Sequence, residues 1–345
     1  AVDCACTFPM RGAGRSFERA YIFRAGTQAE RLKRVGPGGP YPDAPDLRAL
    51  AAGADADPRA RTQPPPWLAW TPRDLLQEDL ADVVAGIRGI DHSVRAVEHM
   101  PGGSRAGYTR WDAFRQAGGL REYGARRNNA MDRNGVSRLS AYNRWGMVSP
   151  FKIAADALAD RSSGARKFLD EFLVWRELCY TFCAHREPRQ VGTLAALPRW
   201  AQDTLEMHKQ DQRQIKSNDE LEKGKTGDSF WDAAQRQLVS TGELHNNVRM
   251  TWGKAFLPWT RSPEEALSQA LHNNHKFALD GCDPCSYGGV LWCFGLFDGP
   301  KGASGTPIFG SIRQRPTSSH ARRLPPEKYC ALPVESMTDM PAQVI

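Results

Sequence analysis

The sequence predicts a mainly α protein, and three observations carry that prediction. Beyond about residue 110, apolar side chains recur at three- and four-residue spacing, as in Phe168, Phe172, Trp175, Leu178, Cys179 and Phe182, which predicts a helix over residues 165–185. Helix starts are written into the same region. Ser149-Pro150 and Ser262-Pro263-Glu264-Glu265 both place a capping hydroxyl before a proline at the first helical position, and the second adds early acids. Finally, nothing after residue 110 alternates strand-like with helical runs, so residues 111–335 form one all-α body, with a tail at 336–345.

Upstream of that body the texture differs. Residues 1–9 read as a strand and residues 19–34 as a helix. Residues 36–66 are rich in Gly, Pro, Ala and Asp and end in Pro64-Pro65-Pro66, the composition of a partly disordered linker. One further helix is predicted over 71–87, and a glycine-rich break at 101–107, so the linker extends to about residue 110. The chain opens on Ala1 and reads as a piece of a longer protein.

Composition narrows the function. With 41% hydrophobic residues in 345, a substantial core is expected, and a net charge of +7 suits a polyanionic partner such as DNA. No run of about 18 apolar residues is present, so no membrane span is expected. No secretory pattern is found either, and a monomer is expected. Cys179 and Cys183 share a helical face and read as core thiols. Cys282 and Cys285 form a CxxC, but no second pair stands at a zinc-site spacing, so no metal is expected. Gly224-Lys225-Thr226 ends like a phosphate-binding loop, yet the earlier glycine position is Asp219 and no strand precedes it. Dinucleotide fingerprints, zinc-protease motifs and a serine nucleophile elbow are missing, which excludes the ordinary dehydrogenase and hydrolase readings.

A series of motifs then supplies a resemblance. Gly135-Val136-Ser137-Arg138-Leu139-Ser140-Ala141-Tyr142 is followed by Val174-Trp175-Arg176-Glu177-Leu178, by Trp231-Asp232-Ala233-Ala234-Gln235, and by Thr241-Gly242-Glu243-Leu244-His245-Asn246-Asn247-Val248-Arg249-Met250. Asn273-Asn274-His275, Asp280-Gly281-Cys282-Asp283-Pro284 and Trp292 complete the series, and Phe309-Gly310-Ser311-Ile312-Arg313 follows. In this order, over about 200 residues, they resemble the photolyase–cryptochrome family, closest to class II cyclobutane pyrimidine dimer photolyases. The resemblance implies an all-helical FAD-binding and DNA-binding domain. It also implies that residues 1–35 are the remnant of an N-terminal α/β antenna domain. The implied cofactor is FAD, the implied partner UV-damaged DNA, and the implied activity light-driven splitting of pyrimidine dimers.

Residue by residue, the resemblance implies that Tyr123, Arg127, Ser137, Leu139, Ser140, Arg249, Asn274, Asp280 and Asp283 hold the flavin. Serine hydroxyls at a helix entrance suit a diphosphate on elementary grounds. Arg249 and Asp280 are implied to pair, since a buried charge needs a counter-charge. Trp231, Trp252 and Trp259, spaced 21 and 7 apart, match an electron-relay triad. Glu177, Met250 and Trp292 are implied to contact the lesion, the last by stacking on an extruded base. Arg313, Arg315 and Arg322 lie where such proteins contact duplex DNA. Two histidines used to repair (6–4) photoproducts are replaced by Asn246 and Met250, which favours cyclobutane dimers. Val136 and Cys285 depart from the family pattern, and Gly299 stands where an arginine is usual. A blue-light photoreceptor of the same fold, or a family member that binds DNA without flavin, stays open at this point.

Overall fold

The computed structural model describes residues 5–36 and 78–330, and among these helices are the only regular elements. Helix α1 (Ala20–Val35) turns Ala20, Phe23, Thr27 and Arg31 inward, one face at three- and four-residue spacing. The strand expected at the start does not form over residues 5–9, and residues 1–4 lie outside the described residues. The physical reason is a tertiary contact. The Thr7 and Phe8 amides donate to the Glu177 carboxylate at 2.6 and 3.2 Å, not to a neighbouring strand.

Residues 37–96 separate from the rest of the chain as their own unit. Most of the predicted linker lies there, outside the described residues. The helix expected over 71–87 is reduced to α2 (Leu80–Ala85), capped by Asp79, whose carboxylate accepts from the Ala81 amide at 2.7 Å. Residues 71–77 lie outside the described residues.

In the main unit the helical body begins earlier than residue 111. Helix α3 (Ser104–Gln116) spans that expected boundary and buries Trp111 and Phe114. The glycine-rich break is therefore shorter than predicted. Gly107 lies inside α3 for close packing: a Cβ there would meet Val148 at 2.5 Å and Tyr142 at 3.0 Å. Next come α4 (Tyr123–Arg126), α5 (Ser140–Arg144), α6 (Pro150–Asp160) and α7 (Ser163–Leu169). Pro150 opens α6 as predicted, although the Ser149 hydroxyl makes no capping bond.

The helix predicted over 165–185 runs from α7 through a π-helical stretch (Asp170–Trp175) into α8 (Arg176–Ala184). A π-helical turn adds about one residue and rotates the buried face by roughly 100°. Phe168 and Phe172 accordingly pack with Trp111, Phe114 and Tyr123 in one core, while Leu178 and Phe182 enter a second. One helix thus joins both cores.

The second core is built from α9 (Arg199–Met207), α10 (Asn218–Lys223), α11 (Ser229–Thr241), α12 (Asn246–Lys254), α13 (Phe256–Trp259), α14 (Pro263–Phe277) and α15 (Pro284–Cys293). Gly224 ends α10 at φ 59°, so the rejected phosphate-loop resemblance is a helix terminus followed by a turn that binds Asp232. Ser262 caps α14 by accepting from the Glu265 amide at 3.2 Å, as predicted. Helix α11 packs against α10 and α12, and also against α16 (Thr317–Ala321) and α17 (Pro326–Cys330). Helix α15 packs against α8, α12 and α14. No described helix is long and apolar enough to cross a membrane.

Candidate functional site

The two cores meet around a cavity of about 320 Å³, a size typical of small-molecule sites. Its wall comes from the 130–141 loop, the loop between α11 and α12, and the start of α15. Tyr123, Ser137, Leu139, Ser140, Arg249, Met250 and Asp280 all line it. Arg249 Nη1 and Asp280 Oδ1 face each other at 3.0 Å across this wall, and Arg249 Nη2 also donates to the Leu244 carbonyl.

Sequence reasoning overlooked a second charged group. Arg133, Arg138 and Glu243 line the same cavity. Arg138 grips Glu243 through both Nε (2.9 Å) and Nη2, and His99 and Arg133 approach the same carboxylate at 3.5 and 3.8 Å. Burial pushes the Glu243 carboxyl up, but hydrogen bonds from His99 and Arg138 and the charges of Arg138 and Arg110 more than offset it and hold it at about 2. Arg138 adopts φ 54°, a backbone region that costs a non-glycine residue about 1 kcal/mol or more, and its two-pronged ion pair holds it there. The residues stand 105 positions apart in sequence, so no local pattern signals the pair.

Ser140 sits at a helix entrance, as the sequence reading expects. Leu139 occupies the cap of α5 and Ser140 its first position, and the helix has only five residues. So short a helix adds little dipole, since the effect sums over aligned peptides. Arg133, Arg138 and Arg249 line the cavity with the serine hydroxyls among them, Arg138 and Arg249 being paired with Glu243 and Asp280 in the same wall. That donor set fits a diphosphate group. Behind the wall, Asn274 is fully buried, and its Nδ2 donates to Ser286 Oγ at 3.1 Å while its Oδ1 is without a partner. Buried unpaired acceptors are rare. By their donor set, the cavity residues fit FAD.

Three predicted cofactor residues do not line the cavity. Asn274 stands behind Ser286. Asp283 caps α15, accepting from the Cys285 amide at 2.7 Å and the Tyr180 hydroxyl at 2.6 Å. Arg127 turns away to Glu171 at 2.9 Å and packs over the Tyr123 ring. Cys285 does line the cavity, while Cys282 of the same CxxC is exposed.

The tryptophans form a connected series. Trp252 and Trp231 stack with ring centroids 6.1 Å apart and planes within 6°, and Trp231 meets Trp259 edge-on at 5.3 Å. Trp231 and Trp252 are fully buried. Trp252 stands on α12, the helix that also carries the cavity-lining Arg249 and Met250. Gln235 fixes this end: its Oε1 accepts from Trp252 Nε1 at 2.9 Å, and its Nε2 donates to Asn273. Trp231 Nε1 donates to the Trp252 carbonyl at 3.0 Å.

The residues expected to contact the lesion and the duplex have varied surroundings. Glu177 does not open towards a ligand. It is fully buried and accepts from the Thr7 amide, the Thr7 hydroxyl at 2.7 Å and the Phe8 amide, anchoring the N-terminal segment. Arg315 points inward, donating to the Asn247 carbonyl at 3.3 Å and Thr251 Oγ1 at 3.2 Å. Arg313 is partly held by Asp298 at 3.4 Å, and Arg322 is exposed. Trp292 is half-buried on α15, with the Lys254 ammonium 4.9 Å from its ring centroid.

Residues 168–258 match the model of the FAD binding domain of DNA photolyase. A deoxyribodipyrimidine photo-lyase from Potorous tridactylus is 38% identical over 234 residues, 66% of this chain and 43% of that protein. One from Arabidopsis thaliana is also 38% identical, over 56% of this chain and 39% of its own length. The chain thus spans less than half the length of these relatives. Among solved structures, a class III photolyase from Agrobacterium tumefaciens shares the fold with a TM-score of 0.54 at 19% identity, over 90% of this chain and 64% of that one. The helical fold and the order of the motifs agree with that match, so residues 168–258 are a photolyase-type FAD-binding region, and FAD is the cofactor that this region takes.

Proposed function

We propose that this chain is the flavin-binding and DNA-binding body of a light-driven lyase that splits cyclobutane pyrimidine dimers in UV-damaged DNA. The observation that carries the proposal is the contact series Trp252–Trp231–Trp259 through a dry core, with Trp252 on the helix that supplies Arg249 and Met250 to the cavity. Bound FAD would supply one-electron chemistry under blue light. Tyr123, Ser137, Leu139, Ser140 and Arg249 with Asp280 would hold it, with Arg133 and Arg138 offsetting phosphate charge. The indoles, stacked and edge-on, offer the path by which an electron reaches the cavity.

Choice of lesion follows from proton chemistry. Asn246 and Met250 line the cavity where an acid is needed for (6–4) repair, and neither donates a proton. His245 beside them is pushed down to about 4, chiefly by burial, and is neutral near pH 7. Dimer splitting needs an electron delivered and returned, with no titrating group. The names of the relatives, deoxyribodipyrimidine photo-lyase, agree.

The test is light-driven reduction of the bound flavin, read by absorption with an external reductant. The wild-type flavin band should bleach, and Trp231→Phe should slow bleaching at least about tenfold, equivalent to about 1.4 kcal/mol of barrier, with FAD content unchanged. Undiminished bleaching in the variant would remove the relay. Bleaching without repair of dimer-containing DNA would favour a photoreceptor, and failure to bind FAD a flavin-free DNA binder.

A further inference from the structure

Lys254 ends α12, and its side chain is 1% exposed. The ammonium donates to the Cys293 carbonyl at 2.9 Å and lies 4.9 Å from the centre of the Trp292 ring. Removing an ammonium from water is costly, and an apolar side chain of the same length would fill this space without that cost. The other groups acting on it are the Cys293 thiol on α15 and, from the segment that follows, Asp298, Arg313 and Arg315. Two of these are cations that oppose its charge. The carbonyl and the aromatic face are what it touches, and both favour the charged form.

The consequence falls on Trp292. Packing against the core leaves this indole half-buried, and Lys254 takes up one face of it. A cation over a ring face restricts tilt, because the attraction is strongest over the centre of the ring. We infer that Lys254 is a positioning residue for Trp292, holding one face of the indole so that its exposed surface presents a fixed platform to an unstacked pyrimidine of the damaged strand. The inference rests on the proposed role of Trp292 as the lesion-stacking residue. Burial lowers the ammonium to about 8, so the clamp is present at neutral pH and is released as pH rises through that value.

The test uses the FAD-loaded full chain and two duplexes of one sequence, with and without a single cyclobutane thymine dimer. Binding of each is measured by fluorescence anisotropy at pH values well below and well above 8. The wild-type preference for the damaged duplex should fall with rising pH by roughly three- to thirtyfold, the range of a cation–π contact. Lys254→Met should show the low preference at both pH values, with flavin absorption and light-driven bleaching unchanged. A purely structural lysine would move neither profile. Retention of the wild-type preference by Lys254→Met, or a flat wild-type profile, overturns the inference. Should Lys254→Met fail to fold, the wild-type pH profile decides alone. Trp292→Ala separates the two levels: undiminished preference there overturns the role of Trp292 itself. Lost preference in Trp292→Ala but not in Lys254→Met overturns only the clamp.

Discussion

At the scale of single residues, Glu243 makes the sharpest claim. Its carboxyl is held at about 2 against an ordinary 4.5. A depressed folded value contributes stability that is present above pH 4.5 and lost as pH falls towards 2. The shift corresponds to about 3 kcal/mol. His245 and His275, both pushed down to about 4 mainly by burial, erode stability at higher pH, between about 6.5 and 4. The Glu243 contribution is therefore read as the difference between wild type and Glu243→Gln. Urea denaturation should find the variant less stable by about 2–3 kcal/mol at pH 7, with the difference closing in acid. A difference that persists at pH 2 would mean that the pair acts through packing rather than charge. Most of the cavity wall was legible in the sequence, because Ser137, Arg249, Met250 and Asp280 lie in short motifs. Glu243 was not, since its partner Arg138 is remote in sequence and its loop geometry forms only on folding.

At the scale of elements, the turn from α11 to α12 joins stability to the site. Gly242 ends α11 at φ 66° and lines the cavity, and a Cβ there would fall 2.7 Å from Leu279. Gly242→Ala faces both a disfavoured backbone region and a clash, together about 2–3 kcal/mol. Calorimetry should record a drop of several degrees in Tm, and the residual FAD content of the purified protein should fall with it. An unchanged Tm would show that the turn relaxes freely. The motif containing Gly242 was legible in the sequence, while the turn it forms came from the fold. The π-helical stretch before α8 was not marked, because apolar periodicity reads much the same through one extra residue. Its effect, dividing one helix between two cores, depends on what packs on either side.

At the scale of the molecule, the net charge of +7 predicts salt-sensitive DNA binding, but the structure divides the arginines that sequence grouped together. Arg322 is exposed, whereas Arg315 braces Asn247 and Thr251. Arg322→Ala should lower the slope of log affinity against log salt by about one, with Tm unchanged. Arg315→Ala should lower Tm instead. Anisotropy titrations across salt concentrations, with melting curves for each variant, check both outcomes. Equal slopes for wild type and Arg322→Ala would place the phosphate contacts elsewhere.

By itself the sequence determined the helical class, the helix starts at Pro150 and Ser262, the motif order that names the flavin domain, and the three tryptophans at fixed spacing. These are local or periodic properties, set by capping chemistry and by which side chains avoid water. Only the tertiary structure decided that Trp231 stands between Trp252 and Trp259, that Glu177 anchors residues 7 and 8, and that Arg138 pairs with Glu243. Each of these depends on which distant segment arrives to satisfy a buried polar group or cover a ring, and that is settled by packing, to which residue spacing alone is blind.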